Sequence, residues 1–423
     1  MDLFLKKIKI LPSGESQSFK TVDILIKDGL INKIGKALKK PKGIETLEFP
    51  NAHASIGWMD VGIFVGEPGF EQREDFKSVK KAAASGGFTS LASLPNTAPV
   101  IDNKGQVEFV KNQNRNGAVN INPLGAISLG CNGQDLAELY DMHACGAIAF
   151  TDGLKPVQSS GLMLRALQYV KAFDGLLINA SNDRSISNGG QINEGALSIS
   201  LGLKGIPHLA EELMVQRDIE LTEYAESKMH IANISTSGSV ELIRKAKKNG
   251  IRISASVPIF NLLYEEREVE DFDPNFKVWP PLRTSKDTKA LKKGLLDGTI
   301  DFISSNHTPL ESDMKKKEFP YAAFGAIGLE TLFSLGTQLL DKDFKLPHLI
   351  NLLAYKAREV IGIEIPLIQE GEQANLTIFN PTKEWTYGLK EIRSKSKNTP
   401  LIDKALVGKV HAIVNNNSLL INY

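Results

Sequence analysis

The feature that most constrains the fold is a long alternation of two kinds of sequence segment. Between about residues 56 and 360, short apolar runs alternate with longer segments of helical periodicity, several of which end in glycine. Glycine suits the left-handed position that closes a helix. Sustained alternation of this kind indicates parallel βαβ units. The apolar runs are GFTSLASLPN, NPLGAISLG, GAIAFTDG, GLLINASND, KMHIANIST, IRISASVPIF and TIDFISSNHTP.

Two architectures contain such units. A (β/α)8 barrel is the closed form at about 250 residues, and a doubly wound open sheet is the alternative. No G-x-G-x-x-G motif follows an early strand, which disfavours an open sheet that binds a dinucleotide. We therefore predict an α/β fold with a (β/α)8 TIM barrel over residues 56–360.

The two chain ends contain a third kind of segment, short strands separated by polar turns. In residues 1–55, Asp28-Gly29 separates two β-rich runs, which is a hairpin signal. Residues 361–423 are also rich in strand-forming runs. Since chain termini of a domain often lie close together, we predict that both ends form one small β domain beside the barrel.

Composition excludes several classes of protein. The formal net charge is +1, so there is no overall attraction to nucleic acid or to an anionic membrane. The chain has only two cysteines, which excludes a disulfide scaffold and fits a reducing compartment. No apolar run approaches the roughly 20 residues of a membrane span, and the N-terminus lacks the apolar region of a signal peptide. We expect a cytoplasmic protein that binds neither nucleic acid nor membrane.

The expected strand ends carry mainly amide and hydroxyl side chains. In a barrel of this type the chemistry lies at those carboxyl ends. Asn and Ser are neutral and cannot serve as general bases, and amide oxygens are poor substitutes for the imidazole and carboxylate ligands of zinc. The segments at the strand ends are 62–66, 96, 151–153, 179–183, 230–235, 258–261 and 304–307.

Few side chains capable of acid–base chemistry lie near these ends. No two of the seven histidines have H-x-H or H-E-x-x-H spacing, and only His230 and His307 fall near a strand end. For both, a hydrogen-bonded structural role is favoured over catalysis. Asp152 is the carboxylate best placed on a strand end, although a turn-forming or capping role explains it equally well.

Blocks of sequence along nearly the whole chain carry a family resemblance. They are, in order, EPGFEQREDFKSVKKAAASGGFTSLASLPNTAPV, GAIAFTDG, NEGALSISLGLKGIPHLAEELMVQRDIEL, MHIANISTSGSVELIRKAKKNG, VWPPLR, GTIDFISSNHTP and AAFGAIGLET. Through these blocks the chain resembles the dihydroorotases of the amidohydrolase superfamily. The resemblance implies a metal-dependent (β/α)8 barrel and a small β-sandwich domain built from both chain ends.

The departures from the family pattern fall on its functional positions. The family's metal ligands and catalytic aspartate correspond here to Gly62, Phe64, Gly153, Ala180, Asn233 and Asn306. Its substrate-binding arginine, histidine and asparagine correspond to Gly66, Leu310 and Trp279. What the resemblance retains is Asn96, a substrate contact in the family, and His307, which flanks the lost base.

These departures predict that a binuclear zinc site cannot form. Zinc would generate a hydroxide nucleophile near neutral pH and polarise the scissile carbonyl. Asn306 offers no base, and Gly66 offers no bidentate partner for a substrate carboxylate. We therefore expect neither zinc nor another cofactor, and Phe64 and Trp279 are large enough to pack into the vacated space.

Three functional hypotheses follow. The first is a non-catalytic dihydroorotase homologue of pyrimidine biosynthesis, because inactive members of the family associate with aspartate carbamoyltransferase; a homo-oligomer is also expected. The second is a metal-independent cyclic amide hydrolase that uses vestigial candidates such as Asp152, His230, Asn306 and His307. The third is a small-molecule-binding module in which the old pocket holds a pyrimidine intermediate.

Overall fold

A computed structural model describes residues 1–11, 19–115 and 117–422. The strands are β1 (Leu3–Ile10), β2 (Lys20–Lys27), β3 (Leu30–Gly35), β4 (Glu45–Leu47), β5 (His53–Ile56), β6 (Trp58–Ile63), β7 (Phe88–Ser93), β8 (Asn120–Pro123), β9 (Leu177–Asn179), β10 (Ile192–Asn193), β11 (Gly205–Ile206), β12 (Met229–Ile231), β13 (Ile253–Pro258), β14 (Phe302–Ser304), β15 (Leu376–Tyr387), β16 (Lys404–Asn415) and β17 (Ser418–Ile421).

Helices follow most of the central strands. They are α1 (Phe76–Gly86), α2 (Lys104–Asn112), α3 (Leu139–Cys145), α4 (Ser160–Lys171), α5 (Arg184–Ser187), α6 (Ala196–Ser200), α7 (Leu209–Ala225), α8 (Ser237–Lys248), α9 (Ile259–Leu263), α10 (Ser285–Leu296), α11 (Ser312–Lys315), α12 (Leu332–Thr337), α13 (Leu346–Ala354) and α14 (Lys356–Ile361). The mixed α/β character predicted from the alternation is confirmed. In the described ranges, no helix is both long and apolar enough to cross a membrane.

The central strands are parallel and follow one another in chain order. One sheet contains β6, β7 and β8, and another contains β9, β12, β13 and β14. The run GAIAFTDG, predicted as a strand, forms no regular strand; Phe150 makes only single parallel bridges, to Gly125 and to Leu177. It nevertheless lies between β8 and β9. The Phe64 amide donates to the His307 carbonyl at 3.1 Å, which brings the first and last segments side by side, as a closed barrel requires.

A buried carboxylate reinforces this contact between the first and last segments. Asp60 of β6 is 1% exposed and accepts hydrogen bonds from the Val61 amide at 2.9 Å and the Ser305 amide at 3.2 Å. The Ser305 hydroxyl also donates to it. Burial raises the pKa of Asp60 to about 6, although the Ser305 hydrogen bonds oppose the shift.

Strands from both chain ends share a single sheet. Its order is β17-β16-β15-β5-β1-β2-β3, with β4 paired to β1. The antiparallel pairing of β15 with β5 joins the two ends. The predicted hairpin is confirmed: β2 and β3 are antiparallel, and Asp28 and Gly29 have φ values of 51° and 78°, as a tight hairpin turn requires.

Trp58 connects the central strands to the terminal sheet. It is fully buried, and its ring lies 4.9 Å from Phe333 and 5.4 Å from Phe379 of β15 between ring centroids. Burying a large apolar side chain contributes about 1.5–3 kcal/mol. Gly87 makes this packing possible, because an added Cβ would lie 2.6 Å from the Trp58 ring and its φ is 92°. The two parts therefore share one core.

Candidate functional site

A cavity of about 450 Å³ lies at the carboxyl ends of the parallel strands. Its lining brings together the six positions at which the family resemblance implies metal ligands, namely Gly62, Phe64, Gly153, Ala180, Asn233 and Asn306. Leu310 and Trp279 line the same cavity. Residues that are far apart in the chain therefore meet at one site, because consecutive parallel strands end at the same edge.

The aromatic residues form the wall of the cavity and do not close it. The Phe64 ring packs against Phe70 with centroids 6.0 Å apart. The Trp279 ring meets Phe324 edge-on at 5.3 Å. Each ring has an aromatic neighbour in its own part of the wall, an arrangement that aromatic pairs favour. An open space thus remains where these side chains were expected to pack.

The side-chain amides of Asn233 and Asn306 take part in a chain of hydrogen bonds within the site. The Ser304 hydroxyl donates to Asn233 Oδ1 at 2.7 Å, and Asn233 Nδ2 donates to Asn306 Oδ1 at 3.2 Å. Asn306 Nδ2 then donates to the Trp279 carbonyl at 2.6 Å. Both asparagines adopt left-handed backbone conformations, with φ of 58° and 51°, which Asn tolerates better than most residues. The two amides are therefore paired with the protein itself.

The residues present do not fit a zinc site. Gly62, Phe64, Gly153 and Ala180 have no donor atom in their side chains. Zinc prefers thiolate, imidazole and carboxylate ligands. Within the described ranges, no group of three or more His, Cys, Asp or Glu side chains is arranged to hold a metal ion. The side chains at these positions therefore lack the donor types that zinc prefers.

His230 lines the cavity but both of its ring nitrogens have partners. They lie 2.9 Å from Ser254 Oγ and 3.0 Å from Ser256 Oγ, and the ring stacks on Phe302 at 4.8 Å. Burial lowers the pKa of His230 to about 3, so the ring is neutral across the physiological range. These contacts give the histidine the structural role favoured by its isolated position in the sequence.

Asp152 and Asn96 do not line the cavity. The Asp152 carboxylate accepts hydrogen bonds from the Ile127 and Ser128 amides, both at 2.9 Å, and from the Ser128 hydroxyl. Asn96 Nδ2 donates to the Asp152 carbonyl at 3.0 Å, while Asn96 Oδ1 accepts from the Leu154 amide at 3.0 Å. Both side chains therefore hold loops together at the strand ends.

His307 also points away from the cavity. Its Nε2 lies 3.4 Å from Glu74 Oε2, and both side chains are fully buried. Glu74 in turn accepts a hydrogen bond from the Lys395 amide at 3.2 Å and another from the Ser394 hydroxyl. The pair therefore connects the end of β14 to the C-terminal segment.

Two charged residues of the cavity lining are not predicted from the sequence. Arg283 is 2% exposed and donates from Nη1 to Asn193 Oδ1 and to the Ile206 carbonyl, each at 2.8 Å. Its Nη2 lies 3.9 Å from Oε2 of Glu211. Glu211 also accepts from the Ser235 amide at 2.8 Å. Both belong to blocks that carry the resemblance, VWPPLR and the segment containing HLAEELM, but neither lies at a strand end.

Two more arginines line the cavity near its mouth. Arg73 Nε lies 2.9 Å from Glu311 Oε2, and the guanidinium stands 5.0 Å from the Phe70 ring centre. Arg184 is exposed, and its Nη2 donates to the Leu154 carbonyl at 3.2 Å. Glu311 therefore balances the charge of Arg73, whereas no carboxylate of the described residues pairs with Arg184.

Comparison with known proteins gives a consistent result at the sequence level. Residues 55–239 match the family described as Dihydro-orotase-like. The chain is 40% identical over 400 residues to a dihydroorotase of Acetivibrio thermocellus, which covers 94% of each chain. It is 39% identical over 417 residues to a dihydroorotase of Thermoanaerobacter sp., covering 98% of this chain and 96% of the relative.

Solved structures with lower identity show the same fold. L-hydantoinase (dihydropyrimidinase) from Arthrobacter aurescens superimposes with a TM-score of 0.87 at 21% identity, covering 100% of this chain and 96% of that one. A D-hydantoinase structure superimposes with a TM-score of 0.84 at 17% identity, covering 100% and 95%.

Proposed function

Because this chain belongs to the dihydroorotase-like family, we propose that it is a catalytically inactive member of that family in pyrimidine biosynthesis. We further propose that it acts as a non-catalytic partner of aspartate carbamoyltransferase. The barrel is proposed to be a closed (β/α)8 ring, which the Phe64–His307 hydrogen bond supports. We also propose that the protein is located in the cytoplasm.

One observation supports the proposed inactivity: the cavity lies at the carboxyl ends of the parallel strands, but its lining lacks the side chains of a hydrolytic centre. Four of the six aligned positions have no side-chain donor, and the remaining two are the paired amides of Asn233 and Asn306. Hydrolysis of a cyclic amide requires an activated water and a group that transfers protons at neutral pH. An amide does neither.

The other titratable groups do not replace them. His230 has its pKa lowered to about 3 by burial and is a very weak base. Glu211 is engaged by backbone amides and hydroxyls, including Ser239 Oγ at 2.7 Å. Asp152 and His307 face loop amides and Glu74 respectively, away from the cavity. These placements disfavour the alternative of a metal-independent hydrolase.

A combined metal and activity measurement tests the inactivity. The purified chain is analysed for zinc and assayed with dihydroorotate and with carbamoyl aspartate, beside the Acetivibrio thermocellus dihydroorotase as a positive control. We expect no stoichiometric zinc and no turnover above the rate without protein. Stoichiometric zinc together with turnover would overturn the proposal.

A separate measurement tests the partnership. The chain is mixed with aspartate carbamoyltransferase of the same organism, and the masses of the separate proteins and of the mixture are determined by size-exclusion chromatography with light scattering. We expect a complex of defined stoichiometry and a homo-oligomer of the chain alone. Separate elution of the two proteins at micromolar concentrations would contradict the assembly role while leaving the inactivity intact.

A further inference from the structure

The cavity that remains has the size and wall of a ligand site. Its volume of about 450 Å³ falls within the roughly 300–1,000 Å³ of small-molecule pockets. Phe64, Leu94, Ile178, Trp279 and Phe324 are among the apolar residues of the lining. Such a wall stabilises a bound ring by removing its apolar surface from water.

Three polar side chains of the lining, Asn233, Asn306 and His230, are already paired within the protein. Asn233 donates to Asn306, Asn306 donates to the Trp279 carbonyl, and the two ring nitrogens of His230 face serine hydroxyls. A ring with several polar groups would leave some of them without partners, at a cost of about 1–3 kcal/mol each. The wall therefore favours a ring with few polar atoms.

The charges of the lining favour an anion. Three arginines line the cavity, Arg73, Arg184 and Arg283, and two of them have a carboxylate nearby, so that Arg184 is the one left to attract an anion. Arg73 faces Glu311 at 2.9 Å, and Arg283 lies 3.9 Å from Glu211.

Arg184 differs from the other two arginines. Within the described ranges its guanidinium has no carboxylate partner, and the only hydrogen bond of that group goes to the Leu154 carbonyl. Its remaining N–H groups are available for the bidentate pairing that a guanidinium makes with a carboxylate. The exposed position of Arg184 places that pairing at the rim of the cavity.

We propose that the cavity binds a flat, largely apolar ring that carries a single carboxylate. The ring lies among the aromatic side chains of the wall, with Phe64 and Trp279 on its borders, and the carboxylate pairs with Arg184 at the rim. This binding activity goes beyond the proposed assembly role. It does not depend on the proposed partner, and the calorimetry described below tests it with probes that the zinc, turnover and partner measurements do not use.

Isothermal titration calorimetry with a matched pair of probes tests the proposal. The probes are 2-naphthoate and the neutral 2-naphthamide, with dihydroorotate as the polar anion. We expect 2-naphthoate to bind at least about tenfold more tightly than the other two, which is the effect of one charge-assisted pair. Arg184→Gln should remove the difference between acid and amide, while Arg165→Gln, an exposed arginine outside the lining, should preserve it.

The position of the probe is tested separately. Ala180→Phe places a ring in the cavity and should weaken both naphthalene probes at least about tenfold. A crystal structure of the unmodified chain with 2-naphthoate locates the ring directly, whether or not that variant folds. Equal affinities of acid and amide, tighter binding of dihydroorotate, no measurable binding of 2-naphthoate, or a ring found outside the cavity would each overturn the proposal.

Discussion

Placing an aspartate at position 306, where the family resemblance implies one, tests whether the hydrogen bonds of the site stabilise the fold. Asn306 Nδ2 donates to the Trp279 carbonyl at 2.6 Å, while its Oδ1 accepts from Asn233 at 3.2 Å. Asn306→Asp keeps the shape of the side chain and its acceptor role. It replaces the donor with a carboxylate oxygen that faces the carbonyl oxygen of Trp279. The substitution therefore changes one favourable contact into a repulsive one.

The magnitude follows from that single contact. A carbonyl that loses its donor inside the protein costs about 1–3 kcal/mol, and the repulsion of two oxygens adds to it. We expect the free energy of unfolding at pH 7 to fall by about 2–4 kcal/mol. When protonated, the new carboxyl would again donate to the Trp279 carbonyl, so the folded protein raises the pKa of that carboxyl. Its stabilising contribution is then present at acid pH and is lost as the pH rises through that raised pKa.

Urea unfolding at pH 4 and at pH 7 measures both parts of this prediction. The matched control is Asn51→Asp: Asn51 is exposed, its nitrogen donates to the Thr382 hydroxyl at 3.0 Å and to Asn380 Oδ1 at 3.5 Å, and its oxygen accepts from Lys9 at 2.8 Å. The Thr382 hydroxyl can turn to donate and the 3.5 Å contact is long for a hydrogen bond, so this control should change stability by less than about 0.5 kcal/mol. The reasoning is refuted if Asn306→Asp is as stable as the unaltered chain at pH 7.

Three further outcomes are expected. The pKa of Asp60 is raised by burial from 3.8 to about 6, so its ionisation removes stability as the pH rises through that interval; Asp60→Asn should abolish this loss of about 3 kcal/mol in unfolding measurements across pH, and an unchanged profile would contradict it. The pKa of His230 is lowered by burial from 6.5 to about 3, so stability falls as the pH falls through that interval, and His230→Gln should flatten this part of the same profile; a slope that persists would argue against a buried neutral ring. Gly153→Asp places an aspartate where the family resemblance implies one, at a position where φ is 56° and an added Cβ would lie 2.0 Å from Asn96 Oδ1. It should lower the melting temperature without conferring turnover, and an unaltered melting temperature would contradict this expectation.

The sequence predicts the positions of the site better than the directions of its side chains. Short, nearly continuous apolar runs form the buried strands β7 and β13, and parallel strands bring their carboxyl ends together. The six aligned positions therefore meet at the cavity as the order of strands requires. Direction depends instead on local backbone conformation. Asn96 and Asp152 both stand near strand ends, yet Asn96 bonds to the loop backbone and Asp152 to amides near Ser128.

The buried charges illustrate a second limit. Glu211 lies in the first turn of α7, and Arg283 precedes α10, so neither lies at the end of a strand, where the sequence predicts the site. The distance of 3.9 Å between Arg283 Nη2 and Glu211 Oε2 results from tertiary packing, which local sequence periodicity does not predict. Nor does residue size show whether a cavity closes. Phe64 and Trp279 are large enough to fill it, but each packs sideways against Phe70 or Phe324.

The contacts of the site also bear on the proposed inactivity, because they predict that a single substitution would not create a hydrolytic centre. Asn233, Asn306 and the Trp279 carbonyl satisfy one another, so a change at any one of them leaves a partner unpaired. Gly62, Phe64 and Ala180 would still lack donors after a change at position 306. Adding back one member of a set of catalytic groups that act together gains little activity while the others are missing. A change at position 306 is therefore expected to cost stability without supplying the other donors of a metal site. The proposed inactive state is on this argument held in place by hydrogen bonds and packing, and only several simultaneous substitutions would leave it.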